Sequence, residues 1–143
     1  MLYSPSWEER PYHLQHYSLS PWDGKRWPNF TPKEFACKAS GEFYYWPNFF
    51  DRLQWARTAA GKPFKINSGH RSYLHNLAVG GSPASQHLTL ACDISLEGHD
   101  KHELRIILRE AGFKGFGYYN SFIHVDLGRS RFWFGAGAKE NWL

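Results

Sequence analysis

Two histidines and two aspartates stand where side chains of their kind are expensive. His87 and Asp93 fall in SQHLTLACDIS, and His124 and Asp126 fall in FIHVDLG. Asp93 lies between Cys92 and Ile94, and His124 between Ile123 and Val125. A carboxylate or imidazole in apolar surroundings costs free energy unless it is hydrogen-bonded, paired or bound to a metal. His87, Asp93 and His124 together have the donor chemistry of a metal centre with three protein ligands and one position left for water. Two plainer readings stand beside it. An isolated strand histidine is commonly a hydrogen-bonded core residue, and a strand aspartate commonly pairs with an arginine. No HExxH helix and no paired CxxC occurs in the chain. Period-two alternation sets Phe122, His124 and Asp126 on one face of their strand, so Asp126 sits beside His124. The same alternation turns Cys92 away from Asp93.

These groups need elements to position them. Strands are expected over 64–67, 90–96, 116–119, 122–127 and 131–134. A helix is expected over 47–60, where Phe49 or Phe50, Leu53, Trp55 or Ala56, and Ala60 recur at helical spacing and Gly61 supplies the stop. A second is expected over 101–111, with Asp100 as cap, Leu104, Ile107, Leu108 and Ala111 as the apolar stripe, and Gly112 as the end. Thr31-Pro32-Lys33-Glu34 has the cap, the first-turn proline and the glutamate of a short helix start. Residues 68–83, with Gly69, Gly80, Gly81 and Pro83, read as a loop holding one helical turn around 73–77. Strands and helices mix without a regular βαβ repeat. The expected class is α+β, a small antiparallel sheet with flanking helices. Residues 1–28 are rich in Pro, Trp, Tyr and His and show no period. They are expected to be an extended arm that wraps a single domain formed by 29–143.

Composition sets the outer bounds. A chain of 143 residues with 42% apolar content suits one packed core. No apolar run approaches the roughly 20 residues of a bilayer-spanning helix. Two cysteines, Cys37 and Cys92, are too few for a disulfide framework and are expected to be small buried hydrophobes. The net charge of +4 suits an anionic partner: nucleic acid, a membrane surface or a cell-wall polymer. The charges are scattered, so charge alone selects none of these. No RNP-like strand motif or basic stripe is present, and no nucleic-acid partner is expected. The N-terminal MLYSPSWEERPYHLQHY lacks the apolar centre of a secretory signal.

Several separated segments together resemble the M15 family of zinc peptidases, which act on bacterial cell-wall peptides. They are SGHRSYLHNLAVGGSPASQH, then ACDI, then GFGYYNSFIHVDLG. The family's pattern runs from a Ser-Gly-x-Arg-Ser turn through Asn and Val-Gly-Gly to Ser-x-His, then to an Ala-x-Asp-Ile strand and a strand bearing His-x-Asp. Upstream, NFTPKEFAC is similar to the opening segment of one subfamily. The resemblance spans roughly residues 29 to 134. Its members include D-alanyl-D-alanine carboxypeptidases and phage endolysins.

Residue by residue, the resemblance implies that His87, Asp93 and His124 bind zinc and that Arg71 contacts substrate or stabilises the oxyanion. Ser85 and Asn76 also match motif positions, as substrate-binding or loop-fixing groups, and Tyr118 and Tyr119 are candidates for lining the cleft or for packing in the core. The implied activity is amide hydrolysis in a peptidoglycan stem peptide. The implied place of action is the bacterial cell wall or periplasm, reached by a phage-type route or on a particle because no signal is visible. A monomer or a component of a phage-like particle is expected. Two departures matter. The spacing from His87 to Asp93 is one residue shorter than the common pattern and lacks its glycine. Many members place a catalytic acid three residues before the last histidine, and Ser121 stands there. Asp126 is then the nearest candidate base, or else holds the His124 ring in its metal-binding tautomer. His70 is a third acid–base candidate, because histidine as a residue class suits proton transfer near neutral pH. The rival expectation is a zinc-bearing domain that binds wall peptide with little or no catalysis.

Overall fold

Short elements follow one another closely in the computed structural model, which describes residues 9–82 and 85–143. Pro5 and the rest of residues 1–8, and Pro83 in the loop before His87, lie outside the described residues. In chain order the elements are β1 (Tyr12–Leu14), α1 (Pro32–Phe35), β2 (Phe43–Tyr45), α2 (Pro47–Ala60), β3 (Ile66–Ser68), α3 (Tyr73–Ala78), β4 (Ala91–Ser95), α4 (Lys101–Glu110), β5 (Gly115–Tyr118), β6 (Phe122–Asp126), β7 (Arg131–Phe134) and α5 (Lys139–Trp142). Single 3-10 turns form at Tyr17–Leu19 and Gln86–Leu88. The class is α+β.

Local chemistry explains most boundaries. The Asp100 carboxylate accepts from the backbone N–H groups of His102 and Glu103, which starts α4. The Glu34 carboxylate reaches back to the Thr31 N–H at 2.6 Å and closes the first turn of α1. Gly61 ends α2, and its N–H bonds to the carbonyls of Arg57 and Thr58.

The main sheet has the order β3-β4-β6-β5-β7, and β1 pairs with β2 in a separate two-stranded sheet. Neighbours in the main sheet are antiparallel, except that β7 runs parallel to β5. The chain reverses after β6 and takes the outer edge of β5, so β7 inherits β5's direction. One face of the sheet is apolar. Cys92, Ile94, Ile123, Val125, Phe116 and Tyr118 join Leu53 of α2 and Leu104 and Leu108 of α4 in one buried cluster. Cys37 and Cys92 are both free and buried.

The opposite face carries two polar rows. Asp93 pairs with His124, and His124 with Gly117, which lies opposite Trp133. One step along, Ala91, Asp126, Gly115 and Arg131 form the second row. The glycines in the middle strand are what let the rows close. A Cβ at Gly115 would fall on Asp126 Oδ1 and the Arg131 guanidinium, and one at Gly117 would lie 2.6 Å from the Trp133 ring. Side chains of β6 and β7 therefore meet across β5, which presents only backbone there.

Residues 9–28 contribute to both sheet and core. Tyr12–Leu14 pairs with Phe43–Tyr45 in register. Trp27 is fully buried, and its indole N–H donates to Asp51 Oδ1 at 2.7 Å. Arg26 binds the same carboxylate with two nitrogens, tying this segment to α2. A three-residue strand whose partner lies some 30 positions away leaves no alternation to read in the sequence.

Candidate metal centre

His87 comes from the 3-10 turn Gln86–Leu88, whose start is fixed by Ser85 Oγ accepting the His87 N–H at 3.1 Å. Asp93 and His124 come from the centres of β4 and β6, directly opposite each other. All three side chains are buried. One potential ligand atom from each lies within 4.8 Å of the others.

The tautomers follow from the outer hydrogen bonds. His87 Nδ1 lies 2.5 Å from the Gly69 carbonyl, which can only accept. Nδ1 therefore carries the proton, and a neutral His87 turns a bare Nε2 to Asp93 Oδ1 at 3.2 Å. On the other side, His124 Nε2 donates to Asp126 Oδ2 at 2.7 Å. A neutral His124 turns a bare Nδ1 to the same Asp93 oxygen at 3.0 Å. Three acceptors then converge, which is balanced only by protons on the rings or by a cation among them. The N–O separations are close to the ~3.4 Å edge of a tetrahedron with bonds of about 2.1 Å. The donor set and its outer bonds fit a metal ion.

Ring protons are the alternative to a cation, and the carboxylates of the group favour them. Burial opposes ionisation of Asp93, but with protons on the facing nitrogens the hydrogen bonds from His124 and His87 outweigh it and hold its pKa well below the usual carboxylate range. Burial likewise opposes charge on His124, and Asp126 and Asp93 outweigh it and raise its pKa. Asp126 is wholly buried and saturated. It accepts from His124, from both terminal nitrogens of Arg131 at 2.8 Å, and from the Gly128 N–H at 3.0 Å. Despite its burial these bonds keep its pKa well below normal.

A cavity of about 420 Å³ opens on the cluster. Arg71, Ser85, Tyr119, Phe122, Arg131 and Trp133 line it together with the three ligand candidates. Arg71 NH2 lies 3.9 Å from Asp93 Oδ2, and the Arg71 N–H donates to the His87 carbonyl. Asn76 is buried behind the cavity, where its amide N–H₂ donates to the Ser82 carbonyl and its oxygen faces Arg71 at 3.4 Å. Tyr119 stacks on Phe122 and accepts from the Trp133 indole at 2.8 Å, whereas Tyr118 lies in the core.

The structure brings Arg71, Ser85, Tyr119, His87, Asp93 and His124 to one cavity. Asp126 stands behind His124 and does not line it. His70 does not line it either. Its ring lies against His13 and Tyr44, and Nδ1 bonds to the Thr89 carbonyl at 2.6 Å. Burial, partly offset by that bond, lowers the His70 pKa. Ser121 is exposed in the turn before β6. Arg131 and Trp133 were not among the sequence candidates. The available signal was period two in β7, which puts both on one face, beside a Gly-x-Gly strand.

No helix among the described residues is long and apolar enough to cross a membrane. The family model for Peptidase M15 matches residues 28–126. No curated protein matches the chain.

Proposed function

Because the chain belongs to the Peptidase M15 family, we propose that it is a zinc-dependent peptidase that cleaves an amide bond in a peptidoglycan stem peptide, as a D-alanyl-D-alanine carboxypeptidase or a cell-wall endopeptidase. The observation that carries this reading is the convergence of His87 Nε2 and His124 Nδ1 on Asp93 Oδ1 at the base of an open cavity. His87, Asp93 and His124 would hold the ion. Zinc in such a site lowers the pKa of bound water toward about 7 and polarises the scissile carbonyl.

The chain's own residues supply the rest. Arg71 presents a guanidinium at the cavity wall, suited to a substrate carboxylate or to charge developing on the carbonyl oxygen. Ser85 and Tyr119 offer hydroxyls to the peptide backbone on the same wall. Asp126, buried and saturated, holds the His124 ring in the tautomer that leaves Nδ1 free, and Arg131 holds Asp126. Those bonds favour orientation over proton transfer as the Asp126 role. The site of action in this reading is the bacterial cell wall, whose anionic polymers suit a chain of net charge +4.

One observation favours a second reading, a zinc-bearing module that holds wall peptide with weak or no catalysis. Asp93 is the only carboxylate among the described residues of the cavity wall, and Ser121 occupies the family's acid position. Peptidoglycan fragments incubated with the protein and analysed by mass spectrometry separate the two, since only a peptidase releases new peptide ends. Zinc content tests the metal centre itself. His87→Ala and His124→Ala are each expected to lose zinc, and unchanged content in both would overturn the assignment.

A further inference from the structure

We propose a second metal site, formed by His13, Glu42 and His70, that takes a divalent transition-metal ion of the zinc type. It lies outside the cavity just described. His70 shows the clearest need for a ligand. Its side chain is 4% exposed, and the Thr89 carbonyl claims the proton on Nδ1. Nε2 is therefore bare, buried, and without a hydrogen-bond partner among the described residues. Buried polar atoms in native proteins are nearly always satisfied, so an orphan of this kind calls for a ligand.

The groups around it match that need. One ligand atom each from His13, Glu42 and His70 lies within 4.8 Å of the others. His13 Nε2 is 4.0 Å from Glu42 Oε1, and the His13 and His70 rings are 5.6 Å apart. A tetrahedral ion with bonds of about 2.1 Å needs ligand atoms ~3.4 Å apart. His13 is exposed and Glu42 half-buried, so side-chain rotation closes the difference without moving backbone. Two imidazoles and a carboxylate select a borderline ion over magnesium or calcium, which prefer oxygen-only sites. The exposed His13 side leaves an entry path and a fourth position for water.

The three ligands come from distant parts of the chain: β1, the turn before β2, and the loop after β3. An ion there fastens the N-terminal strand to the loop that also carries Gly69 and Arg71. Gly69 fixes the His87 tautomer, and Arg71 lines the cavity. The second site would thus brace the first without touching substrate.

Zinc stoichiometry of the untagged full chain, dialysed against buffered free zinc, tests this. Two equivalents are expected in the wild type, one in His13→Ala, one in Glu42→Ala, one in His124→Gln and two in the surface control His102→Ala. Zinc should also raise the Tm of His124→Gln but not of His13→Ala/His124→Gln. Equal zinc in the wild type and in His13→Ala overturns the second site whatever the total. If one equivalent is bound and lost only in His124→Gln, the second site falls and the first stands. If it is lost only in His13→Ala, the first falls and the second stands. His13 is exposed and Glu42 half-buried, and a metal-free Tm equal to the wild type's shows that each variant is folded.

Discussion

Asp126 accepts four hydrogen bonds, from His124, from Gly128 and from two nitrogens of Arg131. It orients His124 from a wholly buried position and is held by both arms of Arg131. Partners of this kind set the basicity and aim of a ligating imidazole, and their loss typically costs about 10–100-fold in metal affinity. Asp126→Asn is therefore expected to weaken zinc binding by about that factor, measured by competition with a chromophoric chelator. Wild-type affinity with lost activity would instead make Asp126 the base. A pH dependence follows from the same carboxylate. Its folded pKa is depressed, so its stabilisation is complete above the unfolded value of about 4 and fades as pH falls below it. The Tm gap between metal-free wild type and metal-free Asp126→Asn should shrink as the pH falls from about 5 toward about 3, below the range in which His124 titrates. Asp93 and His124 were legible because each interrupts an apolar strand. His70 was misleading as a cleft candidate because a loop residue has no period from which to read its direction.

Among the elements, β5 does the most by offering the least. Its two glycines let Asp126 reach Arg131 and bring Trp133 against the His124 ring, at 4.9 Å between centroids. A methyl at Gly117 would collide with Trp133 and push it toward the ligand. Gly117→Ala is expected to cost about 1–3 kcal/mol in unfolding free energy, as overpacking does, and to weaken zinc binding as well. Urea titration and zinc competition check both, and an unchanged pair of values would contradict the account. The helices α2 and α4 and the strands β4 and β6 were legible, since each is long enough to show its period or carries a cap. The role of β7 was not. Arg131 and Trp133 reach the cavity through a parallel pairing with β5: period two puts both on one face, but nothing in the local sequence says which strand that face adjoins.

At the scale of the molecule, one polar face of the main sheet holds the cavity and one apolar face holds the core, with residues 9–28 sewn into the small sheet and the cluster. Trp27 is the anchor of that segment. Trp27→Ala is expected to destabilise by about 3–5 kcal/mol, the range for a buried large aromatic, measured by denaturant unfolding. A loss under about 1 kcal/mol, surface-like in size, would mean that the segment is peripheral. The activity proposed for the whole molecule is hydrolysis. Its most direct test is to digest purified peptidoglycan with zinc-loaded protein and weigh the products by mass spectrometry. New stem-peptide ends are expected, lost on chelation, restored by zinc and absent with His124→Ala. Intact peptidoglycan after exposure to the folded, zinc-loaded wild type would contradict that activity.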